Sequence, residues 1–576
     1  MQTVDHSDSS LPTVRPRSPR KSKLSKRQGF RTIALGLLLF FTLGTWAVGS
    51  SVGSSPDDQV HMASIWCSSF SGETCEVVEE TGERLIPAPL KEAMCTTQNP
   101  FQSAGCQPLL NLADPPLVGV TDVNTRNGLY PPGFYVTLNL FVQDDIEMAI
   151  ISMRLFNAFL FAGLFVALRF LLPGRLSQTL TWSWLITLTP LGFFLVPSVN
   201  PSSWAITSIG FGWLALLGFL EAERRKAIPL GIIYIITAIM AVSSRTDSAV
   251  FFIATSAMAI FLSPVGFKAL LARLWLPLLL PFGGLLVLLT RGVDGVGQLG
   301  VAFEGMGRRS VSRYGEPLPW AKGARGEPTD EFDWNLLWNN IWDTPALWLG
   351  FVGGYPFGSL GWLDTLLPQF VPFSLMFVIA AIAFAGVRQS RLKRQIALIA
   401  IILSSWALPV YILQLGGFIV GEQFQPRYLL PIFMVAVGIT ILQEKGTPPL
   451  SWSKFQVLAL WLPLVTAHSI ALHTGIRRYT TGFGLGGWDL DASREWWWLL
   501  MPGFMSANAV WILGSIAFAV LAALVLFEGT IRLGFSPQRK DRINQIFSRA
   551  KEEKTDSARA DLVSTAELPL NEKPAP

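Results

Sequence analysis

The chain carries about twelve apolar runs of roughly twenty residues each, the length a helix needs to cross the hydrocarbon core of a bilayer. They lie near 32–51, 148–172, 178–197, 202–221, 227–243, 247–265, 273–290, 371–388, 395–414, 428–443, 456–473 and 507–528. A segment in lipid must satisfy its own backbone groups, so these runs read as helices and not as strands. The expected fold class is an all-α polytopic membrane protein. Composition agrees: of 576 residues, 50% are hydrophobic and only 15% charged, against about 25% charged in a typical soluble domain. This excludes an ordinary soluble enzyme and a disordered chain. A net charge of +5 spread over this length gives no argument for a nucleic-acid partner.

The positions of Lys and Arg set the orientation. The N-terminal stretch holds Arg15, Arg17, Arg20, Lys21, Lys23, Lys26, Arg27 and Arg31, which places it in the cytoplasm. Every second loop after it is basic as well: Arg169 and Arg175, then Arg224, Arg225 and Lys226, then Lys268 and Arg273. Arg388, Arg391, Lys393 and Arg394 follow, then Lys445 and Lys454, and finally Arg532, Arg539, Lys540 and Arg542. An even number of spans returns both termini to the cytoplasm. The first span reads as an uncleaved anchor, because its basic region and its apolar run both exceed those of a signal peptide. Three parts result: a basic, disordered arm 1–30, a transmembrane domain 31–530, and a charged cytoplasmic tail 531–576. Ile543, Ile546 and Phe547 of the tail are spaced for one face of a surface helix.

Three long loops fall on the outer side, near 53–147, 291–370 and 474–506. The first is acidic and holds Cys67, Cys75, Cys95 and Cys106, the only cysteines of the chain. That placement fits an oxidising exterior and two disulfides, with three pairings open. The spacings are wrong for a zinc site. The other two loops are rich in tryptophan: Trp320, Trp334, Trp338, Trp342, Trp348 and Trp362 in one, Trp488, Trp496, Trp497 and Trp498 in the other. The Trp496–Trp498 run reads as part of an interfacial aromatic belt. The first group reads equally as a belt or as stacking platforms for sugar rings or isoprenoid chains.

Asp57, Asp58 and His61 follow directly on the first span. Two carboxylates and a histidine one turn later suit a general base or a cation site, or more plainly a helix cap. Tyr130-Pro131-Pro132-Gly133 reads as a rigid lead-in to a short helix on the membrane, and Asp144 and Asp145 as a second acid pair or an ordinary helix N-terminus. Arg154 and Asn157 lie inside the second span, where a guanidinium is costly and marks either a phosphate ligand or an ion pair with Asp144 or Asp145. Asn200-Pro201-Ser202-Ser203-Trp204 needs only capping chemistry, and Arg245 can simply pair with Asp247. Asp364, in Gly361-Trp362-Leu363-Asp364-Thr365, precedes the eighth span; Gln425, Arg427 and Tyr428 open the tenth; Arg477 and Arg478 close the eleventh. Arginine beside tyrosine at the headgroup level holds a lipid phosphate or anchors to headgroups. A phosphate-binding Gly-rich loop of the nucleotide type is absent, and His6, His468 and His473 make no metal pattern with His61.

Taken together, the motifs resemble the bacterial family called domain of unknown function 2142, grouped with the GT-C membrane glycosyltransferases. The likeness runs from about Ile33 to Tyr479. It rests on Pro56-Asp57-Asp58 with His61 and Cys67, Tyr130-Pro131-Pro132, Arg154-Leu155-Phe156-Asn157, Asn200-Pro201-Ser202, Gly361–Thr365, Gln425 with Arg427–Pro431, and Arg477-Arg478-Tyr479. It fades between Arg291 and Trp348. The resemblance implies a GT-C-like fold in a bacterial plasma membrane. It implies transfer of a sugar from a polyprenyl-phosphate-linked donor to a cell-envelope glycan or lipid acceptor at the outer face, with membrane lipids as further partners. By the family pattern Asp57 or Asp58 is the catalytic acid, although the family often has Asp-Glu where this chain has Asp-Asp. On this hypothesis His61, Arg154, Asn157, Arg245, Asp364, Gln425, Arg427, Tyr428, Arg477 and Arg478 are the candidate substrate-binding residues, with Arg154, Arg427 and Arg245 contacting the donor phosphate. A divalent cation held by the second carboxylate is the one cofactor in view. The alternatives are a transporter or flippase of lipid-linked glycans, for which the chain lacks a convincing internal repeat, and a non-catalytic envelope scaffold.

Overall fold

Helix α1 (Lys21–Val48) starts ten residues inside the arm expected to be disordered. Past Pro19 no proline interrupts the chain, so the helix nucleated by the apolar span propagates back through Lys, Leu, Ser and Arg. The computed structural model describes residues 21–279, 283 and 332–533, except 113, 122, 124–129, 355–358, 389, 422–423, 445–451 and 485–486. The readings made above on the first twenty residues, on 291–331 and on the tail lie outside the described residues.

After α1 come three short helices, α2 (Asp58–Trp66), α3 (Ala88–Glu92) and α4 (Gly133–Asn139), with two small antiparallel pairs between them. These are β1 (Ser68–Ser69) with β2 (Gly72–Glu73), and β3 (Arg84–Pro87) with β4 (Leu117–Val120). The long helices follow: α5 (Ile146–Leu171), α6 (Gly174–Thr187), α7 (Pro190–Leu195), α8 (Ser202–Glu221), α9 (Arg224–Ser244), α10 (Thr246–Leu262) and the short α11 (Phe267–Leu271). The second half comprises α12 (Trp334–Asp343), α13 (Pro345–Gly350), the β5 (Ser359–Leu360) and β6 (Thr365–Leu366) pair, α14 (Phe370–Arg388), α15 (Leu392–Gly416), α16 (Pro426–Thr440), α17 (Lys454–Thr480) and α18 (Ala507–Leu533).

Eight helices among the described residues are long and apolar enough to cross a membrane: α1, α5, α8, α9, α14, α15, α17 and α18. The expected spans 247–265 and 428–443 are the shorter apolar helices α10 and α16. The run 178–197, expected as one span, is broken into α6 and α7 at Leu188 and Thr189. Pro190 forces Thr189 out of the helical region and removes a backbone donor. The run 273–290 falls mostly outside the described residues.

α8 forms the centre of the bundle, and its span is buried on every side. Its small residues admit close neighbours: a Cβ at Gly210 would fall 2.4 Å from the Trp184 ring, and one at Gly212 2.4 Å from Phe252. Two disulfides choose among the open pairings, Cys67–Cys75 and Cys95–Cys106.

The two ends of the bundle differ in kind. At one end basic side chains close the C-termini of neighbouring helices, where carbonyls lack partners. Lys226 donates to Leu171 O at the end of α5. Arg273 donates to Phe219 O and Leu220 O near the end of α8, at 2.9 and 2.7 Å. Lys393 reaches Ser263 O just past α10. Arg394 bonds Gly386 O of α14 and Leu442 O past α16, and Arg175 bonds Gln443 O. At the other end lie α2 to α4, both disulfides and the candidate site.

Candidate functional site

The site is built on the segment that follows α1. Between Ala47 and Pro56 the chain leaves the helix and runs buried to α2, so its carbonyls need partners from elsewhere. Arg154 of α5 donates to Ala47 O, Ser50 O and Ser51 O at 2.9, 2.6 and 2.7 Å, and to Ser54 Oγ. The Trp498 indole donates to Val48 O, Gln107 to Val52 O, Trp362 to Gly53 O and Tyr479 to Ser54 O. Pro56 O accepts from Asn200 at 2.8 Å and from Arg427 at 3.4 Å. Side chains from distant parts of the chain thus hold one short loop.

That loop delivers Asp57 in the left-handed conformation, φ 64° and ψ 16°, which few residues other than Gly, Asn and Asp adopt at low cost. Asp57 occupies the N-cap position of α2 without a side-chain capping bond; its carboxylate pairs with Arg427 at 2.5 Å instead. Arg427 also donates to the Tyr428 hydroxyl, at 3.1 Å. The Tyr428 ring has a guanidinium over it twice, Arg245 at 4.3 Å and Arg427 at 5.1 Å. Arg245 in turn is held by both oxygens of Asp247 at 2.9 Å and lies 5.8 Å from the Tyr130 ring. His61 completes the wall: Nδ1 meets the Tyr135 hydroxyl at 2.9 Å, and its ring makes an edge contact with Tyr130.

The two adjacent acids therefore differ. The Asp57 side chain is 42% exposed and is the carboxylate that a ligand can touch. Burial works against its ionisation, but Arg427 outweighs that, with Arg245 adding, and its carboxyl lies below the usual range. Asp58 is fully buried. One of its oxygens accepts from the Ser55 amide at 2.8 Å and the other has no partner. Burial pushes its carboxyl up to about 7, against the pull of that amide and of Arg154. Burial also pushes His61 down to about 3 despite the nearby Asp57, so the imidazole is neutral at pH 7. Burial raises Tyr130 to about 12 and Tyr135 further above its usual value, and both remain hydroxyls.

Most of the remaining sequence candidates have structural partners. Arg154, expected as a phosphate ligand or the partner of Asp144 or Asp145, is engaged by four backbone and side-chain oxygens of the loop. Asp145 caps α5 through the Met148 amide, the plainer of its two readings. Asn157 donates to Ser198 O and accepts from Trp204. Asp364 and Arg478 form a separate buried pair at 2.8 Å, and Arg478 also donates to Thr96 O and Gln102 O inside the Cys95–Cys106 loop. Arg477 stands beside it, half-buried. Gln425 precedes α16, and its buried carbonyl oxygen has no hydrogen-bond partner. Together with Arg427, Pro56, Leu363 and residues of α7 it lines a narrow cleft. The Trp496–Trp498 run departs from the belt reading: Trp496 and Trp498 are packed inside the protein, and the Trp497 indole donates to Met505 O. His468 lies in an aromatic nest and accepts from the Trp46 indole.

Among the described residues no three His, Cys, Asp or Glu side chains converge. Asp57 is spent on Arg427 and Asp247 on Arg245. Sequence reasoning missed Gln107 and singled out Trp362, Tyr479 and Trp498 for other reasons; their bonds to the loop arise only from tertiary structure and leave no local signal.

The profile of the family described as "Predicted membrane protein (DUF2142)" matches residues 40–290 and 341–436. The chain belongs to the DUF2142 family. With its apolar helices this makes it a multi-pass membrane protein. The DUF2142 match takes in the Asp57 loop, Arg154, Arg245 and Arg427, and breaks off where the likeness fades, between 290 and 341. It ends before Arg477 and Arg478. No curated protein and no solved structure matches the chain significantly.

Proposed function

We propose that the protein is a GT-C-type glycosyltransferase that moves a sugar from a polyprenyl-phosphate donor to a cell-envelope acceptor, with Asp57 as the general base. The observation that supports this is the contrast between the two acids: one exposed carboxylate, set by a clamped loop beside two guanidinium groups, and one buried carboxyl behind it. In this reading Asp58 positions α2 and does not touch substrate. Arg154 and Asn200 position the loop.

The acceptor hydroxyl gives its proton to Asp57 as its oxygen bonds to the anomeric carbon. The bond from that carbon to the phosphate oxygen breaks, and its electron pair leaves with the phosphate. Arg427, with Arg245 behind it, stabilises the charge that develops there. A phosphate that draws Arg427 away from Asp57 also raises the proton affinity of the carboxylate, so donor binding prepares the base. The cleft beside Arg427 offers only about 10 Å³, roughly one water molecule.

The test is replacement of Asp57 by Asn and, separately, Asp58 by Asn in the full-length protein, with envelope glycans as the readout. Asp57→Asn is expected to remove the product while Asp58→Asn keeps most of it. Unchanged glycans in a folded Asp57→Asn protein would overturn the assignment.

A further inference from the structure

Helix α12 carries a feature that the transfer reading does not use. Trp334, Trp338 and Trp342 are 72%, 61% and 65% exposed. Pro345 and Leu349 continue the same stripe into α13 and are exposed as well. At 100° per residue these five positions fall within roughly 80° of the helix circumference. The opposite face is fastened to the bundle. Leu336 and Asn340 are buried. The Asn340 carboxamide donates to Phe418 O and accepts from the Val420 amide. The Trp406 indole of α15 donates to Ile341 O, and Gln414 donates to Asp333 O. At its start Asp333 caps the helix through the Asn335 and Leu336 amides.

Three exposed indoles in a row are unusual for a face that meets water. The stripe continues into the apolar surface of α15, where Ile399, Leu403 and Tyr411 are also exposed on a helix long and apolar enough to cross the membrane. The residues that Asn340 holds, Phe418 and Val420, lead into Gln425 and Arg427, so α12 sits at the end of the bundle that carries the Asp57 recess. Indoles favour the boundary between headgroups and acyl chains, with the ring in the apolar zone and the N–H near water.

We propose that α12 lies in the plane of the bilayer surface with its tryptophan stripe in the interfacial layer. The occupant of this face is lipid. Through Asn340 the helix fixes the level of the Asp57–Arg427 pair relative to the headgroups, which holds whether or not the protein is a transferase. Of the two sequence readings of these tryptophans, this takes the belt and not the sugar platform.

The four native cysteines are all in disulfides, so one introduced thiol can be labelled alone. Trp338→Cys and, separately, Asp343→Cys, roughly 140° round the helix, would carry a nitroxide in the full-length protein in phosphatidylcholine–phosphatidylglycerol vesicles. Collision with oxygen and with a water-soluble nickel chelate is then measured. The expected result is a several-fold higher oxygen-to-nickel ratio at 338 than at 343. Equal ratios would mean that the stripe lies no deeper in lipid than the far side of the helix and would overturn the proposal. A label at 338 shielded from both reagents would mean that protein covers the face, another segment or a second copy, and would overturn it too. Trp334→Cys repeats the measurement at a second position.

Discussion

Asp58→Asn gives a prediction whose size can be worked through. The Asp58 carboxyl is fully buried and moves from an ordinary 3.8 to about 7 on folding. The folded protein therefore holds this proton where the unfolded chain has released it. Its contribution to stability is fully present below 3.8 and is lost as the pH rises through 7. At about 1.4 kcal/mol per unit, the loss between about pH 5 and pH 8 is roughly 2–3 kcal/mol. Asparagine keeps the shape and the Ser55 bond but cannot ionise. The stability of Asp58→Asn minus that of wild type should thus climb by that amount from about pH 5 to pH 8. Asp57 and His61 are common to both proteins and cancel in the difference. The attraction between ionised Asp58 and Arg154 is already contained in the folded value of about 7 and adds nothing further to the slope. The measurement is denaturant unfolding of the full-length protein in detergent, followed by tryptophan fluorescence, at several pH values. A flat difference across that range would refute the account of a buried, proton-holding acid.

Two further outcomes follow from the same loop. Arg154→Met strips the donor from three backbone carbonyls and Ser54 Oγ. It should lower stability by about 3 kcal/mol or more, with Arg154→Lys falling between it and wild type in the same unfolding assay; equal stability of all three would contradict the clamp. Replacing Cys95 and Cys106 together by Ser opens a loop with a sequence separation of 11 and should cost about 3 kcal/mol by loop entropy. Comparison of the oxidised variant with oxidised wild type checks this.

The sequence made some of this architecture legible because its signals were local. Apolar runs, cysteine placement and the Arg245–Asp247 spacing each depend on neighbouring residues, and the described residues hold counterparts for most of them. The Thr189–Pro190 break was equally local, but the apolar run outweighed it in a hydropathy window. Arg154 shows the other limit. A guanidinium in a span signals a partner, yet nothing near it says whether that partner is a ligand or the unwound end of α1, since the carbonyls belong to backbone about a hundred residues away. The same holds for the two aspartates. They are adjacent in sequence and alike in chemistry, and only the fold makes one exposed and the other buried.

The basic residues at the far end of the bundle carry two duties at once. Lys226, Arg273, Lys393, Arg394 and Arg175 each finish a neighbouring helix, and they stand in or beside the loops, within the flanking turns whose charge governs threading through the membrane. A helical pair inserted upside down would carry its cations to the wrong side and leave its neighbours' terminal carbonyls bare. Errors of insertion would then surface as errors of folding, and quality control could detect an inverted chain by its instability alone.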